Sequence, residues 1–535
     1  MNSNAASTSW RTPPPLIPDS KIAREYNADV IVIGLGHAGT PAVRAAAEAG
    51  ASVIGIEKMS REKFKVWGHD FGHINSDFLA SRGVPKVDPI EFFNDWMSRS
   101  GNRANPKLVM QFCQKSGEAF NWFMEPFTPE QMNSVRIEFW PLGKHFSGEI
   151  SGQKFWAGTA WFSGISYKGN FSLTDVIIGN LEHAKKHGAQ LHFGMDAQQL
   201  VMKGKRVVGL IAKDDKGQYI KYNAGKGVIL AAGDFGGNKE MCYDLLPDVA
   251  DILDEGEHFR NGGRDGKGIK MGVWAGGRLE ARPLASMGGN TGYLFGVVNS
   301  FGTLWVDEKG KRYCNEGFGD PVFAGFSGAQ LKRGTYHIVF DSSILDDLQY
   351  GPPAHGSFNI NYAPEAKQLK DSMAAARKAG AKGHALGRRG PVKPTKLYAA
   401  DTLEELADYI GFEGAIKRNF LATVKRYNDF CATGRDEDFG KDAQLLHALD
   451  EPPYYAQPAL TGGMIGMFLV TCGGLLTDEY QNVLNQDKDP IPGLYATGNC
   501  CGRRFGPQYS TPIAGVSIGI ANALGREVGR IVAEL

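Results

Sequence analysis

Three glycines, Gly34, Gly36 and Gly39, follow one another at the spacing GxGxxG. An apolar, β-branched run over residues 30–33 precedes them and an Ala-rich segment over 40–49 follows, so we expect a buried parallel strand, a tight turn and a helix. The first glycine allows the bend, the second lets a pyrophosphate approach the backbone, and the third lets the helix pack on the strand. The free N–H groups of the helix N-terminus then bind phosphate. The spacing predicts a dinucleotide site and leaves NAD and FAD open.

A carboxylate, Glu57, occurs at the distance from the glycines that is typical of a dinucleotide site. A second apolar run over residues 52–56 ends in Glu57, about twenty residues after the glycines, and Lys58 follows it. Glu57 is placed to accept hydrogen bonds from a ribose diol. We therefore expect a complete βαβ unit in this part of the chain.

The bulk composition limits the classes of function. A chain of 535 residues predicts two domains, and a formal net charge of +1 gives no electrostatic case for nucleic acid or an anionic membrane. No apolar run approaches the roughly 20 residues of a membrane-spanning helix. The polar, Pro-rich N-terminus lacks the apolar core of a signal peptide. We expect a cytoplasmic protein, or an exported one if the chain is a processed form; the sequence does not indicate an oligomeric state.

The seven cysteines show no CxxC or ferredoxin-type spacing, so we expect no metal centre, no cluster and no disulfide framework. The adjacent pair Cys500 and Cys501 is either a redox pair or two small buried residues beside the cofactor. The second interpretation is favoured, because free cysteine commonly behaves as a small buried apolar residue.

Gly-rich strand patterns fill residues 188–233 and resume after residue 461, whereas the region between carries charged helical patterns. This order predicts an α/β cofactor domain that is interrupted by a second domain. We expect a flexible tail over 1–27, a cofactor domain built from 28–280 and 460–535, and an inserted domain over 281–459.

Several further motifs occur in order along the chain. They are VILAAGDFGGN at 228–238, DGKGI at 265–269, GKRYCNE at 310–316, ADTLEELA at 400–407, TVKRYN at 423–428, GRDEDFG at 434–440 and GLYATGN at 493–499. Together they resemble the fumarate reductase/succinate dehydrogenase flavoprotein superfamily, nearer its 3-ketosteroid dehydrogenase and gut-bacterial ene-reductase branch (cardiac glycoside reductase-like) than true fumarate reductases. The resemblance covers nearly all of the chain after residue 27. It implies FAD, a Rossmann-like FAD-binding domain in two segments, and an inserted α+β capping domain that closes over substrate.

By this resemblance, residues of both segments contact the cofactor. Glu57, with Lys58 beside it, binds the adenosine ribose, and Ala197 lies near the adenine. The other implied positions are Gly68, His69 and Gly72 along the flavin, Gly233 and Asp265 in the motifs that favour FAD over NAD, Gly498 and Asn499 at the ribityl chain, and Ser517 and Ile518, whose N–H groups face the flavin O2 side. The dipole of the last helix would stabilise the anionic reduced flavin there. A covalent link through His69 is an alternative, but noncovalent FAD is favoured.

The positions at which fumarate-reducing members bind a dicarboxylate carry no matching His or Arg. They read Asp320, residues 468–472, residues 284–287, Phe505 and Tyr509. Because a buried dicarboxylate without cationic partners costs several kcal/mol, a C4-dicarboxylate substrate is disfavoured. Apolar side chains replace the charges, either as ordinary core or as the lining of a pocket for a polycyclic molecule: Phe318, Phe323, Phe326, Met464, Met467, Phe468, Leu469, Val470, Phe505 and Tyr509.

The resemblance implies that reduced flavin N5 delivers hydride to the β-carbon of a C=C bond conjugated to a carbonyl. The carbonyl then needs hydrogen-bond donors and the α-carbon needs a proton. The candidates for these two roles are, in order, Tyr509, Arg504, Tyr293 and Arg312, and the alternative role of Arg312 is an ion pair with Glu316 or Asp320.

We expect an FAD-dependent ene-reductase of an apolar, steroid-like enone or lactone that draws electrons from an external donor. The alternatives are a ketosteroid dehydrogenase working in the desaturating direction, a fumarate- or urocanate-like carboxylate reductase, and a flavin electron-transfer subunit.

Overall fold

The computed structural model describes residues 9–138, 140–162, 171–247, 263–287, 302–318, 336–352, 360–385, 396–458 and 470–535. The largest sheet has eight strands, and five of them run parallel at its centre. Their order is Pro490–Ala496, Tyr219–Leu230, Ile22–Ile33, Val53–Glu57 and Gln190–Phe193. The antiparallel strands are Asp196–Lys203, Arg206–Lys213 and Asn482–Leu484. The predicted α/β fold with a parallel sheet is confirmed.

Helices cover this sheet because its central strands are buried. Residues 30–33 and 53–57 are buried throughout, as their continuous apolar runs require. The first helix, Gly39–Glu48, and the last helix, Val516–Glu534, pack against each other, and a Cβ atom on Gly529 would overlap the carbonyl oxygen of Ala42. The other helices of this part are Asp77–Ser81, Pro89–Arg99, Pro106–Met124, Pro129–Asn133, Leu173–Lys186, Lys239–Leu245 and Lys267–Trp274.

A separate antiparallel sheet of five strands lies within the segment predicted as an insertion. Its order is Leu304–Asp307, Tyr336–Phe340, Tyr454–Pro458, Lys396–Ala400 and His384–Ala385. The helices Ile344–Asp347, Ala363–Ala379, Leu403–Tyr409 and Gly414–Thr433 accompany it. The strands Ser286–Met287 and Val470–Thr471 pair with each other where the chain enters and leaves this segment.

Part of the N-terminal segment differs from the predicted flexible tail. Trp10 is 4% exposed in the core, and its indole N–H donates to Asp244. Residues 22–27 extend the first strand and pair with Tyr219–Leu230. This extension carries no continuous apolar run, and the strand is held there by pairing with a distant segment.

A short arm of the first part contacts the inserted segment. The strands Glu149–Ile150 and Gln153–Lys154 form a hairpin, and the backbone N–H of Ser151 donates to Asp442 at 2.8 Å. The side chain of Gln444 donates to the carbonyl oxygen of Glu149 at 2.6 Å. This arm therefore contacts the segment predicted as an insertion at a place other than the chain connections.

Within the described ranges, no helix combines the length and the apolar character that a membrane crossing requires.

Candidate active site

The glycine loop has the shape that a pyrophosphate needs. Gly34 has φ +94°, and a Cβ atom on Gly39 would overlap the carbonyl oxygen of Gly34, so both positions require glycine. A Cβ atom on Gly36, in contrast, would have no atom within 4 Å. The space in front of Gly36 is therefore open to a ligand at the N-terminal end of helix Gly39–Glu48.

Glu57 lies at the end of its strand beside this loop. Its carboxylate accepts hydrogen bonds from the backbone N–H groups of Leu35 at 3.1 Å and Met59 at 3.0 Å. Each oxygen of this carboxylate can accept one more hydrogen bond, which leaves capacity for a ribose hydroxyl. Lys58 instead donates its ammonium to the carbonyl oxygen of Gly263.

The predicted flavin stretch lies against the start of the last helix. The N–H of Gly72 donates to the carbonyl oxygen of Gly515 at 2.9 Å, and a Cβ atom on Gly68 would lie 2.6 Å from Ile518 Cδ1. Gly515 has φ +70° and is the N-cap of helix Val516–Glu534. The His69 ring lies 4.9 Å from that of Trp161. The fold thus brings residues 68–72 and 515–518 together.

The second chain segment closes the glycine loop from the other side. A Cβ atom on Gly498 would lie 2.6 Å from the Cβ of Ala38, within the GxGxxG turn. The thiol of Cys500 donates a hydrogen bond to the carbonyl oxygen of Gly233 at 3.4 Å. Burial raises the pKa of Cys500 to about 12 and that of Cys501 to about 11, so both remain thiols at neutral pH. The two cysteines are buried beside the loop, and neither forms a disulfide.

Two predicted cofactor residues lie farther along this edge. Ala197 is buried and pairs with Ala212 in the antiparallel strands. Asp265 accepts a hydrogen bond from the N–H of Lys267 at 3.0 Å, at the start of helix Lys267–Trp274. That helix contacts strand Asp196–Lys203, so the two residues lie on neighbouring elements.

The Tyr509 hydroxyl accepts a hydrogen bond from the Ser517 N–H at 3.1 Å. This geometry differs from the expectation that the Ser517 N–H is turned to the flavin. A buried helix N-terminus needs an acceptor, and Tyr509 supplies it. Burial raises the pKa of Tyr509 above its usual value, so the phenol stays protonated. Phe505 stacks on Trp96 and contacts Tyr509, so both predicted pocket aromatics belong to a packed core cluster.

Arg504 is fully buried between two loops of the site. Its guanidinium donates to the carbonyl oxygens of Cys501 and Cys472, both at 2.9 Å, and to the side chain of Asn499 at 2.6 Å. Its Nη1 has no hydrogen-bond partner among the described residues. A buried charged donor without an acceptor is costly in free energy. A ligand oxygen that accepts a hydrogen bond from this atom would remove that cost.

Two buried carboxylates, Glu280 and Asp234, were not singled out in the sequence. Glu280 accepts hydrogen bonds from the N–H groups of Gly474 at 2.9 Å and Arg503 at 2.8 Å, and burial raises its pKa to about 7. Asp234 forms a bidentate pair with Arg264 and also accepts from the N–H of Thr471 at 2.7 Å. In the sequence, only the Gly473-Gly474 pair hinted at the position of Glu280, because adjacent glycines often mark a loop that another group approaches closely.

The remaining predicted residues lie away from this place or outside the described residues. Arg312 pairs with Glu316 and with Asp436, each at 2.9 Å, so the ion pair with Glu316 is present. Burial opposes its charge, but the two carboxylates outweigh burial and raise the pKa of Arg312. Outside the described residues lie Tyr293, Asp320, Phe323, Phe326, Met464, Met467, Phe468 and Leu469, and also the side chain of Phe318.

A parallel α/β sheet, a glycine turn with open space, and a glycine stretch against a helix N-terminus define a dinucleotide-binding fold of the flavoprotein type. The chain belongs to the FAD-binding domain family, which matches residues 29–516. It is an FAD-dependent oxidoreductase, and the FAD expected from the sequence is confirmed. The loop fits this cofactor because the open space in front of Gly36 leaves room for a pyrophosphate.

Three similar proteins illustrate the range of the family. The chain is 23% identical to a digoxin reductase of Eggerthella lenta, over 96% of this chain and 88% of that protein. It is 26% identical to a fumarate reductase (cytochrome) of Shewanella frigidimarina, over 95% of this chain and 77% of that protein. A 3-ketosteroid-Δ4-(5α)-dehydrogenase structure from Rhodococcus jostii superposes with a TM-score of 0.66 at 23% identity, over 97% of this chain and 99% of that one. The suspected family is thus confirmed, and the proteins similar to this chain include the reductases and dehydrogenases that the sequence suggested.

Proposed function

We propose that this flavoenzyme reduces a C=C bond conjugated to the carbonyl of an apolar, steroid-like molecule. The observation that carries the proposal is Arg504, whose buried Nη1 is unpartnered within the described ranges. One free donor suits one carbonyl oxygen, whereas a dicarboxylate needs several cationic donors. The likeness to a digoxin reductase supports the same class of substrate.

When bound, FAD in its reduced form would supply the hydride for the β-carbon. Arg504 donates from Nη1 to the substrate carbonyl and stabilises the negative charge that develops on its oxygen. Tyr509, held protonated by burial, is the proton donor to the α-carbon and is restored by solvent protons. Together, one hydride and one proton saturate the bond. In this proposal FAD would be held noncovalently, and an external electron donor would supply the electrons.

The test is reoxidation of the dithionite-reduced, anaerobic holoprotein by a panel of steroid enones, unsaturated lactones, fumarate and urocanate. We expect enones or lactones to restore the visible absorbance of oxidised flavin and the carboxylates to leave it bleached. Reoxidation by carboxylates alone would overturn the proposal and favour a reductase of the fumarate type. If saturated ketones bleach the oxidised protein faster than enones reoxidise it, the desaturating direction is the function. No response to any compound would indicate an electron-transfer subunit.

A further inference from the structure

Three metal-ligating side chains meet where two neighbouring helices end. Glu48 is the last residue of helix Gly39–Glu48, and His183 and His187 lie one turn apart at the end of helix Leu173–Lys186. One ligand atom of each lies within 4.8 Å of the others, and His183 Nε2 is 3.2 Å from Glu48 Oε1. Two ligands about 2.1 Å from a tetrahedral metal are about 3.4 Å apart, so the spacing fits one ion.

The orientation of the His187 ring leaves one nitrogen available to a metal ion. His187 Nδ1 lies 3.1 Å from the carbonyl oxygen of His183, and because a carbonyl can only accept, Nδ1 carries the hydrogen. The lone pair of His187 is therefore left on Nε2, the arrangement that orients metal-binding histidines.

Neighbouring donors hold the carboxylate of Glu48 in place. Arg44 donates to Glu48 at 2.7 Å, but it pairs with Glu125 at 2.9 Å as well, so two carboxylates face one guanidinium. Trp122 donates its indole N–H to the other oxygen of Glu48 at 2.8 Å and fixes the carboxylate. The side chains of Glu48 and His183 are 27% and 25% exposed, so a hydrated ion can reach them.

We propose that Glu48, His183 and His187 bind a divalent first-row transition-metal ion, for which Zn²⁺ is the probe, with water as the fourth ligand. Two imidazoles and one carboxylate are a ligand set that zinc accepts. Helix Gly39–Glu48 is about 15 Å long and begins at the nucleotide loop. The site therefore ties this helix to helix Leu173–Lys186, away from the cofactor.

The experiment titrates chelator-treated, tag-free holoprotein with ZnCl₂ by calorimetry. We expect one equivalent to bind the wild type, and His187→Ala to weaken binding by at least about tenfold. His145→Ala removes another exposed histidine and serves as the matched control, with unchanged zinc affinity. The FAD content of each variant checks its folding. With Cu²⁺, electron paramagnetic resonance should show coupling to two imidazole nitrogens in the wild type and to one in His187→Ala.

Glu48→Gln retains an acceptor for Arg44 and removes the negative charge, so it should weaken zinc binding while FAD is retained. Equal zinc affinity of the wild type and His187→Ala, or a loss confined to His145→Ala, would overturn the proposal. Absence of any binding by the wild type would do the same.

Discussion

At the scale of single residues, the site depends on buried charged groups that hold two loops together. Arg504 donates to Cys501 and Cys472 and thereby joins the loops on which they lie. Glu280 accepts from the N–H groups of Gly474 and Arg503 and joins the same two loops. Hydrogen bonds to charged groups contribute about 1.5–3 kcal/mol each, so these two side chains set the loop positions.

Arg504→Met should lower the turnover of the enone substrate by about 10²- to 10³-fold, because it removes the proposed carbonyl donor. Steady-state kcat and KM, together with the FAD content, measure the effect. Arg503→Met is the matched control, since the side chain of Arg503 is exposed and only its backbone N–H bonds Glu280. Equal turnover of the two variants would remove Arg504 from the reaction.

Glu280 makes the stability of the protein depend on pH. Its pKa is about 4.5 when unfolded and about 7 when folded, so the folded state binds the proton more tightly. Its contribution to the free energy of unfolding therefore falls as the pH rises from 4.5 to 7. From pH 5 to pH 8, the free energy of unfolding of the wild type should fall by about 2 kcal/mol relative to that of Glu280→Gln, as measured by denaturant unfolding. The exposed Glu308→Gln should track the wild type, and a constant difference between wild type and Glu280→Gln would contradict this titration.

At the scale of elements, glycines let the cofactor loop, the first helix and the last helix approach closely. The third motif glycine, Gly39, touches Gly34, and Gly529 of the last helix touches Ala42 of the first. Gly36 alone of the three motif glycines faces open space. Packing therefore requires glycine at Gly34 and Gly39, whereas at Gly36 no neighbouring protein atom does.

Gly36→Ala should lower FAD affinity by at least about tenfold, because its methyl group would occupy the space of the pyrophosphate. The thermal stability of the apoprotein should not change, since no protein atom lies near the added group. Fluorescence titration of apoprotein with FAD measures the affinity. Gly225→Ala, whose Cβ would make ordinary contacts in the sheet, is the control and should bind as the wild type does. Unchanged affinity of Gly36→Ala would show that the pyrophosphate lies elsewhere.

At the scale of the whole molecule, the inserted sheet has its own buried charge cluster. Arg312 pairs with Glu316 and Asp436, and Lys441 donates to Thr303 and lies 3.7 Å from Glu316. The side chains of Arg312, Glu316 and Asp436 are at most 3% exposed. This cluster joins segments that are far apart in the chain and is distinct from the cofactor loop.

Arg312→Met should destabilise the inserted segment by about 3–5 kcal/mol, because it leaves two carboxylates buried without their partner. Hydrogen exchange followed by mass spectrometry should show faster exchange in residues 302–318 and 414–458, with no change in 28–60. Arg435→Met, at an exposed neighbouring position, should exchange as the wild type does. Unchanged exchange together with lost turnover would instead indicate a catalytic role for Arg312.

Local patterns predicted the central elements closely. Helix Gly39–Glu48 and strand Val53–Glu57 begin and end within a residue of their predicted bounds, because apolar periodicity and glycine spacing act over short distances. The first strand begins at Ile22, earlier than predicted, because pairing with a distant strand holds its polar half. The buried partners of Glu280 were not predicted for the same reason.

The sequence by itself determined a dinucleotide site, because the GxGxxG turn and Glu57 lie in short stretches whose chemistry is local. The order of the further motifs along the chain, through the family they resemble, identified the dinucleotide as FAD. Only the tertiary structure decided which groups these side chains contact and which protonation state they hold. Arg504, Tyr509 and Glu280 acquire their partners, and hence their chemistry, from backbone groups on other loops. Burial then raises the pKa values of Glu280 and Tyr509 and leaves Nη1 of Arg504 without a partner among the described residues. Burial is a property of the packed molecule rather than of any segment.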